Sequence, residues 1–131
     1  VNPCSVDISG ILEAESSLGL ILGEDLFIGK EPDSPNNCVT IFDTPGFPPQ
    51  LTYIQGEDYF YPSIQIRVRN IDYLDGWEMV NDIKNLLHGR GQETWNGTLY
   101  SVIVCVAEPS LLDWDKNGRA HFVITFNIQR R

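Results

Sequence analysis

FYPSIQIRVRN, from Phe60 to Asn70, followed without a linker by IDYLDGWEMVNDIKNLLHG, from Ile71 to Gly89, is the stretch whose reading decides the fold. In the first part Ile64, Ile66 and Val68 alternate with Gln65, Arg67 and Arg69, the period of two that turns one row of a strand to a core and the other outward. In the second part Tyr73, Trp77, Val80, Ile83 and Leu87 recur at spacings of three and four and draw one apolar helical stripe. A strand and a helix joined directly supply most of a core. Neither is crowded with catalytic residue types, so the stretch specifies an architecture more readily than a chemistry.

Outward from this centre, CVTIFD (38–43) is β-branched and apolar and predicts a buried strand, and Leu26–Ile28 a shorter one. Between them EPDSPNN (31–37) holds two prolines and several turn formers, which is a loop. Ser5 as N-cap, Asp7 in the first turn and Ile8, Ile11 and Leu12 on one face predict a first helix from about Val6 to Leu20. Gly10 and Gly19 weaken it, so packing must hold it. TPGFPPQLTYIQGE (44–57) has no sustained period and predicts a long loop. Its Phe47, Leu51, Tyr53 and Ile54 suit burial against another subunit or against the loop's own domain.

Beyond the helix, Gly89 to Gly91 reads as a cap and turn. TWNGTLYSVIVCVAEP (94–109) reads as a strand, continuously apolar from Val102 to Ala107 and therefore central in a sheet. Pro109 to Gly118 reads as a turn region. AHFVITFNIQR (120–130) alternates Phe122, Ile124, Phe126 and Ile128 with His121, Val123, Thr125 and Asn127, and is expected to pair antiparallel with the preceding strand. The pattern predicts an α+β protein, a mainly antiparallel β-sheet with two principal helices packed on it, forming a single domain over residues 1–131.

Composition narrows the function classes. With 42% hydrophobic and 21% charged residues the chain suits a soluble globular protein. The longest apolar run, around Val102–Ala107, falls far short of the ~20 residues of a membrane helix. VNPCSVDISG at the start has no signal-peptide pattern, which predicts assembly in a cytoplasm. Eighteen acidic against nine basic residues give a net charge of −9, which disfavours adhesion to a phosphate backbone. Cys4, Cys38 and Cys105 form no CxxC pair and sit beside no histidine, so free thiols are expected rather than disulfides or zinc.

Four motifs invite a chemical reading. DTPG (43–46) follows an apolar strand as in a GTPase switch, but no glycine-rich loop ending in Lys-Ser or Lys-Thr accompanies it, so a strand-ending turn is expected. DWDKNG (113–118) opens like a calcium loop, yet the twelfth position is Ile124 where a bidentate acid belongs; a hairpin turn at Asn117-Gly118 explains the same residues. Asn96-Gly97-Thr98 satisfies a glycosylation sequon and equally suits a turn. His88, in the last helical turn, suits the negative end of the dipole. No catalytic residue, metal site or cofactor is indicated. Arg67 and Arg69 on one strand face, and Glu78 and Asp82 on one helix side, suit intersubunit pairs or a solvated face.

LGLILGEDLFIGKEPDSPNNCVTIFDTPG, YPSIQIRVRNIDYLDGWEMVNDIKNLLHG and AHFVITFNIQRR together resemble the bacteriophage minor capsid proteins of the tail-terminator type, from about Ile8 to Arg131. The most specific pieces are D-x-F-I-G-x-E-P, ending at Pro32, the turn after Cys38-Val39-Thr40, and P-x-I-Q-I-R-V-R leading into the helix. The resemblance implies a virion structural protein without enzymatic activity that forms a homo-oligomeric ring, usually a hexamer, at the junction of tail and neck. Such a ring caps the tail tube, stops its polymerisation and docks to neck or connector proteins, while DNA passes through without specific binding. An acidic subunit suits a lumen that must not retain DNA. A head–tail joining protein, stopper or adaptor, on the portal side shares size and acidity, and a small nucleotide-binding enzyme would rest on DTPG alone. A ring needs two different complementary surfaces. The candidates are the apolar loop residues Phe47, Leu51, Tyr53 and Ile54 on one side, and the row Gln65, Arg67 and Arg69, expected to be exposed, on the other.

Overall fold

The computed structural model describes residues 2–50 and 59–131. Its elements run α1 (Cys4–Ala14), β1 (Leu26–Ile28), β2 (Cys38–Gln50), β3 (Tyr59–Asn70), α2 (Tyr73–Leu87), β4 (Glu93–Trp95), β5 (Thr98–Cys105), β6 (Ser110–Trp114) and β7 (Ala120–Arg130). The strands make one curled sheet in the order β1-β2-β3-β7-β5-β4, with β6 also paired to β7. Only β1 and β2 run parallel; the other pairs are antiparallel. The fold is therefore α+β, as the periodicities require.

Both helices lie on one face of the sheet, α1 over β1 to β3 and α2 over β3, β7 and β5. Ile64, Ile66 and Val68 of β3 are buried beneath them, aligned with Phe126, Ile124 and Phe122 of β7. Val80, Ile83 and Leu87 of α2 and Ile8, Ile11 and Leu12 of α1 close this core. Burying each such side chain contributes roughly 1.5–3 kcal/mol before chain entropy is subtracted. α2 begins where Asp72 accepts hydrogen bonds from the Leu74 and Asp75 N–H groups. At Gly76 a Cβ would come within 2.7 Å of the Phe122 ring, so a glycine lets the helix sit this low on the sheet.

Several expected boundaries move. α1 ends at Ala14 instead of near Leu20. Glu15 turns extended there and accepts hydrogen bonds from the Ser17 N–H and Oγ, the local competition with helix that serines favour. Ser5 lies inside the helix, and its N–H and Oγ donate to Asp43 of β2 at 3.0 and 2.6 Å. The aspartate of DTPG thus caps α1 from the neighbouring strand. The expected turn after it is absent: β2 continues to Gln50, through bulges on either side of Phe47. Pro45 and Pro48 fit because β1 pairs with Val39, Thr40 and Ile41, so that among the described residues this end of β2 has one strand neighbour. The predicted loop is therefore strand over residues 44–50, while Leu51, Tyr53 and Ile54 lie outside the described residues.

The strand expected from Thr94 onward is a hairpin, β4 and β5, turning at Asn96 (φ 50°) and Gly97 (φ 79°). Both central residues have positive φ, the condition of the primed turns that match strand twist. The region read as a turn before Gly118 contains β6, which forms a second hairpin with β7. His88 Nδ1 accepts the Cys105 N–H at 3.0 Å, which ties the end of α2 to β5.

Candidate assembly surface

The sheet face turned away from the helices has two unlike ends. At one end the loop 31–37 folds over it. Arg69, expected in an exposed row, is only 2% exposed. Its guanidinium donates to Pro35 O at 2.7 Å and Asn36 O at 3.3 Å and pairs with Glu31 at 3.2 Å. An arginine buried this deeply and held by its own chain is closed to a neighbour, so the exposed row ends at Arg67. Arg119, also buried, donates to Asp33 O at 2.6 Å and to Asp115 at 2.7 Å. Asp115 further accepts the Asn117 and Arg119 N–H groups at 2.9 and 3.0 Å and approaches His121 Nε2 at 3.2 Å. Burial pushes the Asp115 carboxyl upward, but the Arg119 N–H, His121, the Arg119 guanidinium and the Asn117 N–H outweigh it and hold it well below the usual carboxylate range. The Asp115 oxygens of DWDKNG are thus spent on the hairpin turn, Arg119 and His121. Among the described residues no group of acids, histidines and cysteines is arranged to hold a metal ion.

At the other end this face is open. Phe47, 66% exposed, stands opposite Tyr61 of β3, and with Val102 and Val104 of β5 they line a shallow groove of roughly 200 Å³. The bulge that presents Phe47 needs Gly46, where a Cβ would meet the Tyr61 carbonyl oxygen at 2.0 Å. Next along the face, Arg67 lies 5.2 Å over the Phe42 ring and donates to Gln65 at 2.9 Å. Phe47, Gln65 and Arg67 therefore share one face, where the sequence suggested two opposed surfaces. Val102 and Val104 were missed because a continuous apolar run reads as burial on both sides. Their register with Gln129 and Asn127 points them outward, while Ile103 points into the core. The signal was available: outward valines on a strand of this register are either buried by a further layer or left for a partner.

A second apolar area lies on the helix side, at the free edge of β6. Tyr73 stacks on Trp114 at 6.2 Å and tilts against Phe122 at 5.2 Å, and Trp77 leans on the same ring at 6.0 Å. Around this cluster Trp114 is 51% and Leu74 69% exposed, and Ile71 and Leu112 are exposed as well. Exposed carboxylates flank it along α2, namely Asp72, Asp75 and Glu78 beside Tyr73, Leu74 and Trp77, whereas Asp82 lies with Glu15, Leu18 and Leu86.

A buried polar cluster under α1 offers no chemistry. Asp7 accepts hydrogen bonds from Tyr100 Oη and, at 2.6 Å, from Asn96, and Cys4 Sγ lies 3.9 Å from the same phenol. Burial pushes the Cys4 thiol up to about 11, and burial and the hydrogen bond to Asp7 raise the Tyr100 phenol still further. Both stay protonated at neutral pH and closed to solvent, so the cluster fastens α1 to the β4–β5 hairpin.

No curated protein matches the sequence. A chain in the solved virion of a native gene transfer agent (GTA) particle shares the fold, with a TM-score of 0.66 over 98% of this chain and 94% of that one, at 10% identity. Residues 15–131 match the family described as bacteriophage tail terminator protein. The match spans both the open sheet face and the apolar area at the β6 edge, and on it the chain belongs to the bacteriophage tail terminator family, structural proteins of the phage virion.

Proposed function

We propose that this protein ends the phage tail: it forms a ring on the last layer of the tail tube, stops further polymerisation and offers its far side to neck proteins. The observation that carries this reading is the family match together with an open apolar sheet face on a strongly acidic chain. A strand apolar on both faces costs solubility unless something covers the second face, and burying it supplies the drive for assembly. The protein acts in the virion at the junction of tail and neck after assembly in the host cytoplasm. Ring closure, with six subunits as the working number, requires a head-to-tail contact. A net charge of −9 lets DNA pass the ring without adhering. The role is mechanical, with no reaction to catalyse.

Electron micrographs of particles assembled without this protein test the reading. Overlong tails without heads are expected. Tails of normal length beside heads that leak DNA would overturn it in favour of a head-completion role on the portal side.

A further inference from the structure

We infer that the contact between neighbouring copies joins the open end of the sheet face, around Phe47, Val104 and Arg67, to the acidic-rimmed apolar area of the next copy, around Leu74, Trp114 and Glu78. This rests on the ring reading above and gives it its two surfaces. The first argument is charge. Eighteen of the 131 residues are acidic, yet the outward positions of β2, β3, β5 and β7 contain no aspartate or glutamate. Arg69 is consumed by Glu31 and the loop, whereas among the described residues Arg67 lies beside the Phe42 ring and the Gln65 amide and pairs with no carboxylate. The other area has the opposite character: Asp75 and Glu78 sit within one helical turn of Leu74, and the nearest basic residue along α2 is Lys84, which pairs with Glu108.

The second argument is shape and direction. Phe47, Tyr61, Val102 and Val104 line a concave groove, and Leu74, Leu112 and Trp114 are exposed on the other area. The two areas lie on opposite faces of the sheet, since Trp114 pairs with Ala120 and stacks on the Tyr73 ring of α2 while Val104 pairs with Asn127 on the outward register. A contact of one with the other is heterologous, so each copy keeps one surface free for the next, as ring closure demands. A two-fold contact of the open face with itself would instead bring Arg67 of each copy toward the other and leave the acidic rims unanswered.

The test uses the full chain. Benzoylphenylalanine is placed at position 47, equal amounts of heavy-isotope and unlabelled protein are mixed at high concentration, and photo-crosslinked peptides are identified by mass. Heavy–light crosslinks to peptides holding Leu74 or Leu112–Trp114 are expected. In parallel, Arg67→Glu and Glu78→Arg are each expected to weaken self-association about tenfold by sedimentation, the size of effect a rim charge contributes. An equal mixture of the two variants is expected to recover it, because every contact in an alternating ring is then complementary. Crosslinks to the open face itself, a chain that stays monomeric at all concentrations, or a mixture no better than its parts would overturn the inference. Overlong tails in the particle experiment would leave the terminator reading standing even so.

Discussion

The two ends of the outer sheet face differ in what their own chain has already spent. At the covered end Arg69 and Arg119 are buried and donate to loop 31–37 and the β6–β7 turn. At the open end Phe47, Val102 and Val104 meet solvent, and Arg67 has a ring and an amide beside it. A charged row along one strand is thus not one functional unit. Burial with intramolecular partners makes Arg69 part of the fold, whereas Arg67 stays partly exposed.

The largest effect is expected from breaking the covered end. Arg69→Met leaves Glu31 and the carbonyls of Pro35 and Asn36 without their donor, and should cost about 3–5 kcal/mol in urea unfolding, the range for removing one partner of a buried pair. An unchanged urea midpoint would show that the guanidinium is dispensable to the loop. Next in size are the two glycines that permit close approach. Gly46→Ala must displace the Tyr61 backbone, and Gly76→Ala must displace the Phe122 ring despite its better helix propensity. Each should cost about 1–3 kcal/mol. Only Gly46→Ala should also move Phe47 and disturb the open end, so self-association after correction for folded fraction separates the two.

A smaller, pH-dependent effect tests the acid of the covered end. The Asp115 carboxyl lies below its unfolded value of 3.8, so its contribution is present above that pH and is lost as the pH falls below it. The melting temperature of Asp115→Asn should therefore differ from that of the parent at about pH 6, and the gap should narrow steadily as the pH is lowered from about 4 to about 2. A constant gap would assign the effect to turn geometry instead of charge. The smallest effect on folding belongs to the open end: Phe47→Ser should change stability by no more than about 0.5 kcal/mol, as for exposed sites without special roles. The same substitution should weaken association, and a large loss of stability would mean that Phe47 serves its own domain.

Much of the fold was legible because each periodic stretch needs only local rules. The alternation in 60–70, the stripe in 73–87 and the alternation in 120–130 place β3, α2 and β7 correctly. What failed were positions decided by partners distant in sequence. Pro45, Gly46 and Pro48 read as a loop because prolines are poor strand residues, but β2 lacks its second neighbour there and tolerates them. Arg69 read as exposed from its parity with Arg67, and only the return of loop 31–37 buries it.

The sequence by itself determined the α+β class, the identity of the core rows, the acidic balance and the family resemblance, because periodicity, composition and motif are properties of the linear chain. Tertiary structure alone decided that Asp43 caps a helix, that Arg119 reaches the Asp33 carbonyl, and that one half of a sheet face is covered while the other half is open. These depend on which segments meet across 38 to 86 residues of chain, and no local propensity encodes such a meeting.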